Sequence, residues 1–472
     1  MASPSMRLQS YVDTEQLHRQ KSTDEETQNV RGILAGAKVR RLCTNRQALK
    51  KMNHVFSHKL DTWAPTDQHR TGRCWIHASL NVLKARWMHK YPNLELSPCY
   101  VSFFDKLERA NTVLQSAKRM RDLPMSHREM VSLLTDMGTD GGQWNMFIQL
   151  VEKYGVVPKW SMDDTLSDRD SNDINNVIAD LVVATVFDIR RRPPPQADAS
   201  IQQCLEDIYH VLYVHFGEPP TLVNLRWNEK QDDDHDKRKV TDAGGKYRVR
   251  NGNVVDKGWV RPQDLFRSIC PESLGKHYLM LCNDPRHEYG QLFRVEGVTS
   301  TVEGDALTYL NVSSRTMMDA VFHSIVHHEQ PVWFTCDVDK QFHRGRGVMD
   351  SELYMPERLY RLDKSAFAVS KQERLECRRS MPTHAMVFTG VDVERDPHGQ
   401  SHVSKWRVEN SWGKEGRGDA KGFIAMSNEW FHEYVFQVVI DTRVLDRRMV
   451  EYAQSASPIT LKPWDVFGTV AR

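Results

Sequence analysis

The amino-acid sequence predicts an α+β protein, mostly helical up to about residue 275 and sheet-bearing beyond it. The helical half is read from Ile76, Leu80, Leu83 and Trp87, which recur at helical spacing behind Cys74, and from ASIQQCLEDIYHVLYVHF at 199–216. The sheet is read from a change of period. HAMVFTGVDV (384–393) and SKWRVEN (404–410) alternate or run apolar, with PHGQ between them as a turn, which predicts an antiparallel pair. The 472 residues suffice for two or three units, and no repeat of 20 to 50 residues is present, which excludes solenoids and propellers.

Residues 1–60 are polar with short helical patterns and read as an N-terminal arm wrapping a core. Residues 61–160 hold the helix that starts at Cys74 and a second one within DGGQWNMFIQLVEKYGVVP (140–158), where two glycines make a tight turn and Gly155 and Pro158 stop the helix. Residues 161–275 read as a mostly helical insertion. Within it RRRPPPQ (190–196) breaks any helix and serves as a connector, and QDDDHDKRK (231–239) reads as a solvated loop. Residues 276–450 supply the sheet. Residues 451–472 carry two apolar anchors, Trp464 and Phe467, on an otherwise polar segment whose composition alone describes a frayed tail.

Composition narrows the function classes. A net charge of +2, from 64 basic and 62 acidic side chains, gives the whole molecule no bias toward polyanions, so single-stranded nucleic acid is a weakly supported partner. No stretch of ~18 uncharged apolar residues offers a membrane span, and the first twenty residues lack the apolar core of a signal peptide. Together these predict a cytosolic protein. Eight cysteines without a CxxC pair argue against a zinc knuckle or a disulfide framework; no metal or cofactor is expected, and every cysteine but Cys74 reads as buried, reduced filler.

Cys74 is different because it opens a helix, where unpaired backbone N–H groups and the dipole favour a thiolate. Gln68, six residues upstream on the entering loop, could join the Cys74 N–H in holding a developing oxyanion. His384 opens a strand, so its imidazole sits on a rigid element where it could take the thiol proton and return it to a leaving amine. Asn410 begins NSWG at the end of the next strand, where its amide oxygen could hold the ring in one tautomer while Trp412 shields that bond from water. Gly141 and Gly142 either let substrate backbone approach or form a structural turn, and His69 reads as a solvent-facing loop residue.

Taken together, QxxxGRCWI around Cys74, DGGQW at 140–144, THAM at 383–386 and KWRVENSWG at 405–413 resemble the papain-like cysteine peptidases of the bleomycin hydrolase and aminopeptidase C branch. NDPR (283–286), VWFTCDV (332–338) and EWFHEYVFQVVID (429–441) are similar to segments of the same branch, so the resemblance covers most of residues 60–472. It implies a two-lobed fold, a helical lobe plus an antiparallel β lobe, with catalysis by Cys74, His384, Asn410 and Gln68. The separation of His384 from Cys74 far exceeds the ~130 to 150 residues of simpler papain-like enzymes, which agrees with a large helical, hook-like insertion. The branch uses such insertions to assemble a homohexameric barrel.

The resemblance also reverses the reading of the C-terminus: a PWDxxG segment like 463–468 lies in the active-site cleft and its terminal carboxylate holds the substrate's free amine. By that analogy Cys74 removes Arg472 and leaves Ala471 as the working terminus. The expected substrates are peptides with a free N-terminus, and the branch name implies the bleomycin amide as well. Asp67, His69 and Arg70 depart from the branch pattern and bear on loop geometry rather than on roles. An endopeptidase, another Cys-His-Asn acyl transferase and a nucleic-acid binder stay open as alternatives.

Overall fold

A computed structural model describes residues 14–60, 64–87, 94–135, 137–228, 254–395, 398–414 and 421–468. The helix behind Cys74 spans Cys74–Trp87 and is buried along nearly its whole length. Against it pack the helices Pro98–Arg119 and Trp144–Tyr154, and Asn172–Arg191 packs on the first of these, all contributing to one apolar cluster. The proline run ends one helix and starts another. Asn172–Arg191 stops before it and Pro194–Phe216 begins on it, since a proline in the first turn needs no N–H partner. Beyond that helix, Val223–Asn228 and Val254–Val260 pair as an antiparallel ribbon, and the acidic-to-basic run at 231–239 lies outside the described residues.

The strands form one large sheet whose central order is Tyr278–Cys282, Val435–Asp441, Val332–Cys336, His384–Arg395, Ser401–Glu409 and Phe423–Ser427. Its middle is antiparallel, including the expected pair His384–Arg395 with Ser401–Glu409. The sheet as a whole is mixed rather than antiparallel, because Tyr278–Cys282 with Leu307–Asn311, Val348–Met349 with Phe423–Ser427, and Ile459–Leu461 with Leu292–Val295 run parallel. Crossover connections were invisible to a reading that saw only one hairpin.

Both faces of the central strands are covered, which accounts for their unbroken apolar runs. Ala385, Val387, Trp333 and Val439 point into the helical cluster that contains Cys74. Met386, Phe388, Phe334 and Val438 point the other way, into a second cluster with Trp406, Trp430 and the helix Ser314–His328. Residues 14–60 form four short, mostly exposed helices tied down by Asn45 N–H to Leu353 O (2.8 Å) and Met355 N–H to Cys43 O (2.9 Å). All eight cysteines are unpaired; Cys377 is exposed at the end of a short helix, unlike the other seven. Among the described residues no helix is long and apolar enough to cross a membrane.

Candidate active site

The Cys74 helix and the strand that starts at His384 meet at their beginnings. Cys74 is fully buried, and its Sγ accepts the backbone N–H of Ala385 at 3.4 Å, which sets the sulfur against the first residues of that strand. His384 is 2% exposed, and its Nε2 lies 2.8 Å from Asn410 Oδ1. The backbone N–H of Ser411 donates to the same Asn410 atom at 2.8 Å, so that atom is the acceptor oxygen. The ring therefore carries its proton on Nε2 and keeps Nδ1 as the base. Register does the positioning: Val387 pairs with Glu409, so the start of one strand and the residue just past the end of the next fall side by side.

Gln68 is buried on the loop before the helix. Its Nε2 donates to Thr71 O at 2.5 Å, and its Oε1 accepts the Ser411 hydroxyl at 2.5 Å. An amide nitrogen has two hydrogens, which leaves one for a developing oxyanion. The same loop is stitched to the NSWG turn by Gln68 N–H to Ser411 O (2.8 Å) and Gly413 N–H to Thr66 O (2.9 Å). His69 is exposed with a left-handed φ of 55°, its N–H on Asp67 Oδ1 at 2.8 Å. Trp412 covers the imidazole, ring centroids 5.0 Å apart.

The start of the Cys74 helix rests on buried charges that the sequence reading passed over. Arg73 is buried, with Nη1 on Asp168 Oδ1 (2.5 Å), Nη2 on Asp168 O (3.1 Å) and Nε on Thr71 Oγ1 (3.2 Å). Asp140 accepts Gly72 N–H at 3.1 Å and Asn175 Nδ2 at 2.9 Å, bonds Lys106 and Ser171, and takes the Trp75 indole N–H on its main-chain oxygen at 2.7 Å. These contacts hold the Asp140 carboxyl well below the usual carboxylate range despite its burial. A polar residue between a loop and a helix start is a weak sequence signal, and only the fold reveals its partners. His77, one turn into the helix, is buried with neither ring nitrogen bonded, and burial pushes its pKa down to about 3.

Burial also pushes the Cys74 thiol up to about 12, against the pull of the N–H groups of Ala385, Trp75 and Cys74 itself. Burial thus opposes the stabilising pull of the helix start on the sulfur.

A cleft of about 700 Å³ opens beside these groups, lined by Gln68, His384, Trp412, Thr383, Arg344 and Asp339 on one side. Pro463, Trp464, Asp465 and Gly468 of the C-terminal segment line it too. Up to Gly468, the last described residue, that segment is not frayed. Asp465 binds Arg286 at 3.0 Å, Arg286 is held by Asp284 at 2.8 Å, and Phe467 is buried against Tyr309 and Phe436. The NDPR run is thus the clamp for the PWD run. Ala471 and Arg472 lie outside the described residues. Gly141 O takes Arg109 Nη2 at 2.6 Å, and a Cβ at Gly142 would come within 2.3 Å of the Trp75 indole, so packing by itself suffices to require glycine at 142.

Residues 10–468 match the model of the Peptidase C1-like family. The chain belongs to that family. It is 32% identical to human bleomycin hydrolase over 446 residues, 91% of each chain, and 31% identical to aminopeptidase G of Lactobacillus delbrueckii subsp. lactis over 450 residues, 94% of this chain and 95% of that one. The crystal structure of PepW from Lactobacillus rhamnosis superposes with a TM-score of 0.87 at 29% identity, covering 98% of this chain and all of that one. These relatives place the chain in the bleomycin hydrolase and aminopeptidase C branch of the papain-like cysteine peptidases, so it is an enzyme of cysteine-peptidase type.

Proposed function

We propose that the protein is a cytosolic aminopeptidase of the bleomycin hydrolase type, which removes single residues from peptides with a free N-terminus. One observation carries the chemistry: the Cys74 sulfur lies under Ala385 N–H while the neighbouring His384 is oriented by Asn410. Nδ1 of His384 takes the thiol proton and so supplies the nucleophilic sulfur, offsetting the burial that pushes the thiol up. The sulfur adds to the carbonyl, and the oxyanion takes the second hydrogen of the Gln68 amide and the Cys74 N–H. His384 then protonates the leaving amine, and water activated by the same ring hydrolyses the thioester.

The exopeptidase part is supported by the C-terminal segment, because Pro463, Trp464 and Asp465 occupy one side of the cleft and are clamped there through Arg286. A cleft bordered by a fixed segment of its own chain has less room for a through-running substrate than for a chain terminus. Assembly into a homohexamer is proposed by analogy with the branch. Turnover of aminoacyl-arylamide reporters by wild type and its absence in Cys74→Ala would support the reading, as would inertness of N-acetylated reporters. Cleavage of the acetylated series at comparable rates would make the protein an endopeptidase instead. Bleomycin belongs in the same panel.

A further inference from the structure

Arg344 opens the short 3-10 turn Arg344–Arg346, directly after the strand Phe342–His343. Its guanidinium lies over the Trp412 ring, 4.3 Å from the centroid, and Trp412 in turn packs on His384 and, at 6.1 Å, on Phe342. All of Arg344, Trp412, His384 and Gln68 line the catalytic cleft. If His384 protonates the departing nitrogen, the leaving half of the substrate must pass the imidazole, and the surface beside the imidazole is Trp412 with Arg344 upon it. The other cations lining the cleft are differently engaged: Arg128 stacks on Trp464 at 4.4 Å and Arg378 bonds the Trp464 carbonyl.

Arg344 donates from Nη2 to Asp339 Oδ1 at 3.2 Å, one of the five N–H groups a guanidinium carries. That pair is largely exposed, 57% and 68%, so the attraction is weak and easily shared with a second carboxylate. Stacking on an indole leaves the edge of the planar fork open for a bidentate partner.

We propose that Arg344, held on Trp412 beside His384, recognises a carboxylate on the leaving half of the substrate, so that the enzyme favours dipeptides and peptides with an acidic second residue. The inference rests on the peptidase reading above and names the substrate class of that same site. Two matched pairs test it: Ala-Asp-amide against its isostere Ala-Asn-amide, and the dipeptide Ala-Ala against Ala-Ala-amide. The wild-type kcat/KM ratio within each pair is expected to favour the carboxylate by about fivefold, the size of an exposed ion pair, and to shrink as salt is raised.

In Arg344→Met the ratio should fall to about one, and in Arg344→Lys it should be partly retained, because a point charge replaces the fork. Each ratio is taken within one protein preparation, so a loss of folded enzyme cancels. Equal ratios in wild type and Arg344→Met overturn the assignment while leaving the peptidase intact. No turnover of any of the four by wild type, under conditions where Cys74 is reduced, overturns the peptidase reading and this inference with it.

Discussion

The two walls that meet at the active site are built differently. The wall carrying Cys74 starts its helix on buried ions, Arg73 with Asp168 and Asp140 with Lys106, which fix the loop from Gln68 to Trp75. The wall carrying His384 and Asn410 uses backbone register between two strands packed on both faces by apolar side chains. A strand end is located by its ladder to within one residue, whereas a loop that must present both an amide and a thiol has no ladder and takes its geometry from side chains. The difference teaches that placement and stability are coupled on the helical wall and separable on the sheet wall.

The largest test does not distinguish the walls and sets the scale. Cys74→Ala and His384→Ala should each lower kcat by at least about 10³-fold, with far-UV circular dichroism unchanged. The comparison itself is tested next by Asp140→Ala against Phe388→Ala. Asp140→Ala leaves Lys106 buried without its carboxylate and should cost about 3–5 kcal/mol, measured by urea unfolding, and it should also lower kcat of the enzyme that remains folded. Phe388→Ala opens a cavity in the second cluster for a similar ~3–5 kcal/mol but should leave kcat per folded molecule unchanged. Equal effects on kcat would erase the distinction between the walls.

The sheet wall also packs against a buried cation that is held by neutral oxygens. Lys371 is buried on the oxygens of Asn283 (2.8 Å), His432 (2.9 Å) and Val435 (2.8 Å), and burial pushes its pKa down to about 7. Three acceptors suit an ammonium, so the proton is held up to that pH and not far beyond it. Below about pH 7 folded and unfolded chains are both protonated and the burial cost is felt in full. From pH 7 toward 10.5 the unfolded chain keeps a proton that the folded one has released, so this lysine's contribution to stability improves as pH rises. The unfolding free energy of wild type relative to Lys371→Met should therefore rise by up to about 1.4 kcal/mol per pH unit between pH 7.5 and 9. A flat difference across that range would show that the acceptors hold the ammonium throughout.

The smallest effect belongs to His77. Replacing a buried ring with no bonded nitrogen by an apolar ring of similar shape removes a desolvation cost, so His77→Phe should raise stability by about 1 kcal/mol, read as an increase in Tm. A drop would mean that the ring has a partner on the helical wall.

Much of this arrangement was legible before any coordinates. Cys74 does open a helix, His384 does open a strand, and the hairpin that ends at Asn410 is antiparallel, because each of these rests on short-range periodicity and turn residues. The partners of Asp140 and Arg73 were not legible, since Asn175 and Asp168 belong to a part of the chain that reads only as helix and loop. Gly142 read equally as a substrate contact or a structural turn because two adjacent glycines carry no sign of what approaches them; Trp75 is one group that does. The burial that pushes the Cys74 thiol up was not legible either, since a sequence shows where a helix begins and not how deeply its first residue is buried.

The seam between the loop at 66–68 and the turn at 410–413 offers a way to watch the catalytic machinery without any substrate. The backbone amide of Gln68 is protected only while its hydrogen bond to Ser411 O persists, and that bond exists only while the two walls touch. Deuterium uptake at this single amide would report, minute by minute, the fraction of molecules whose machinery has come apart.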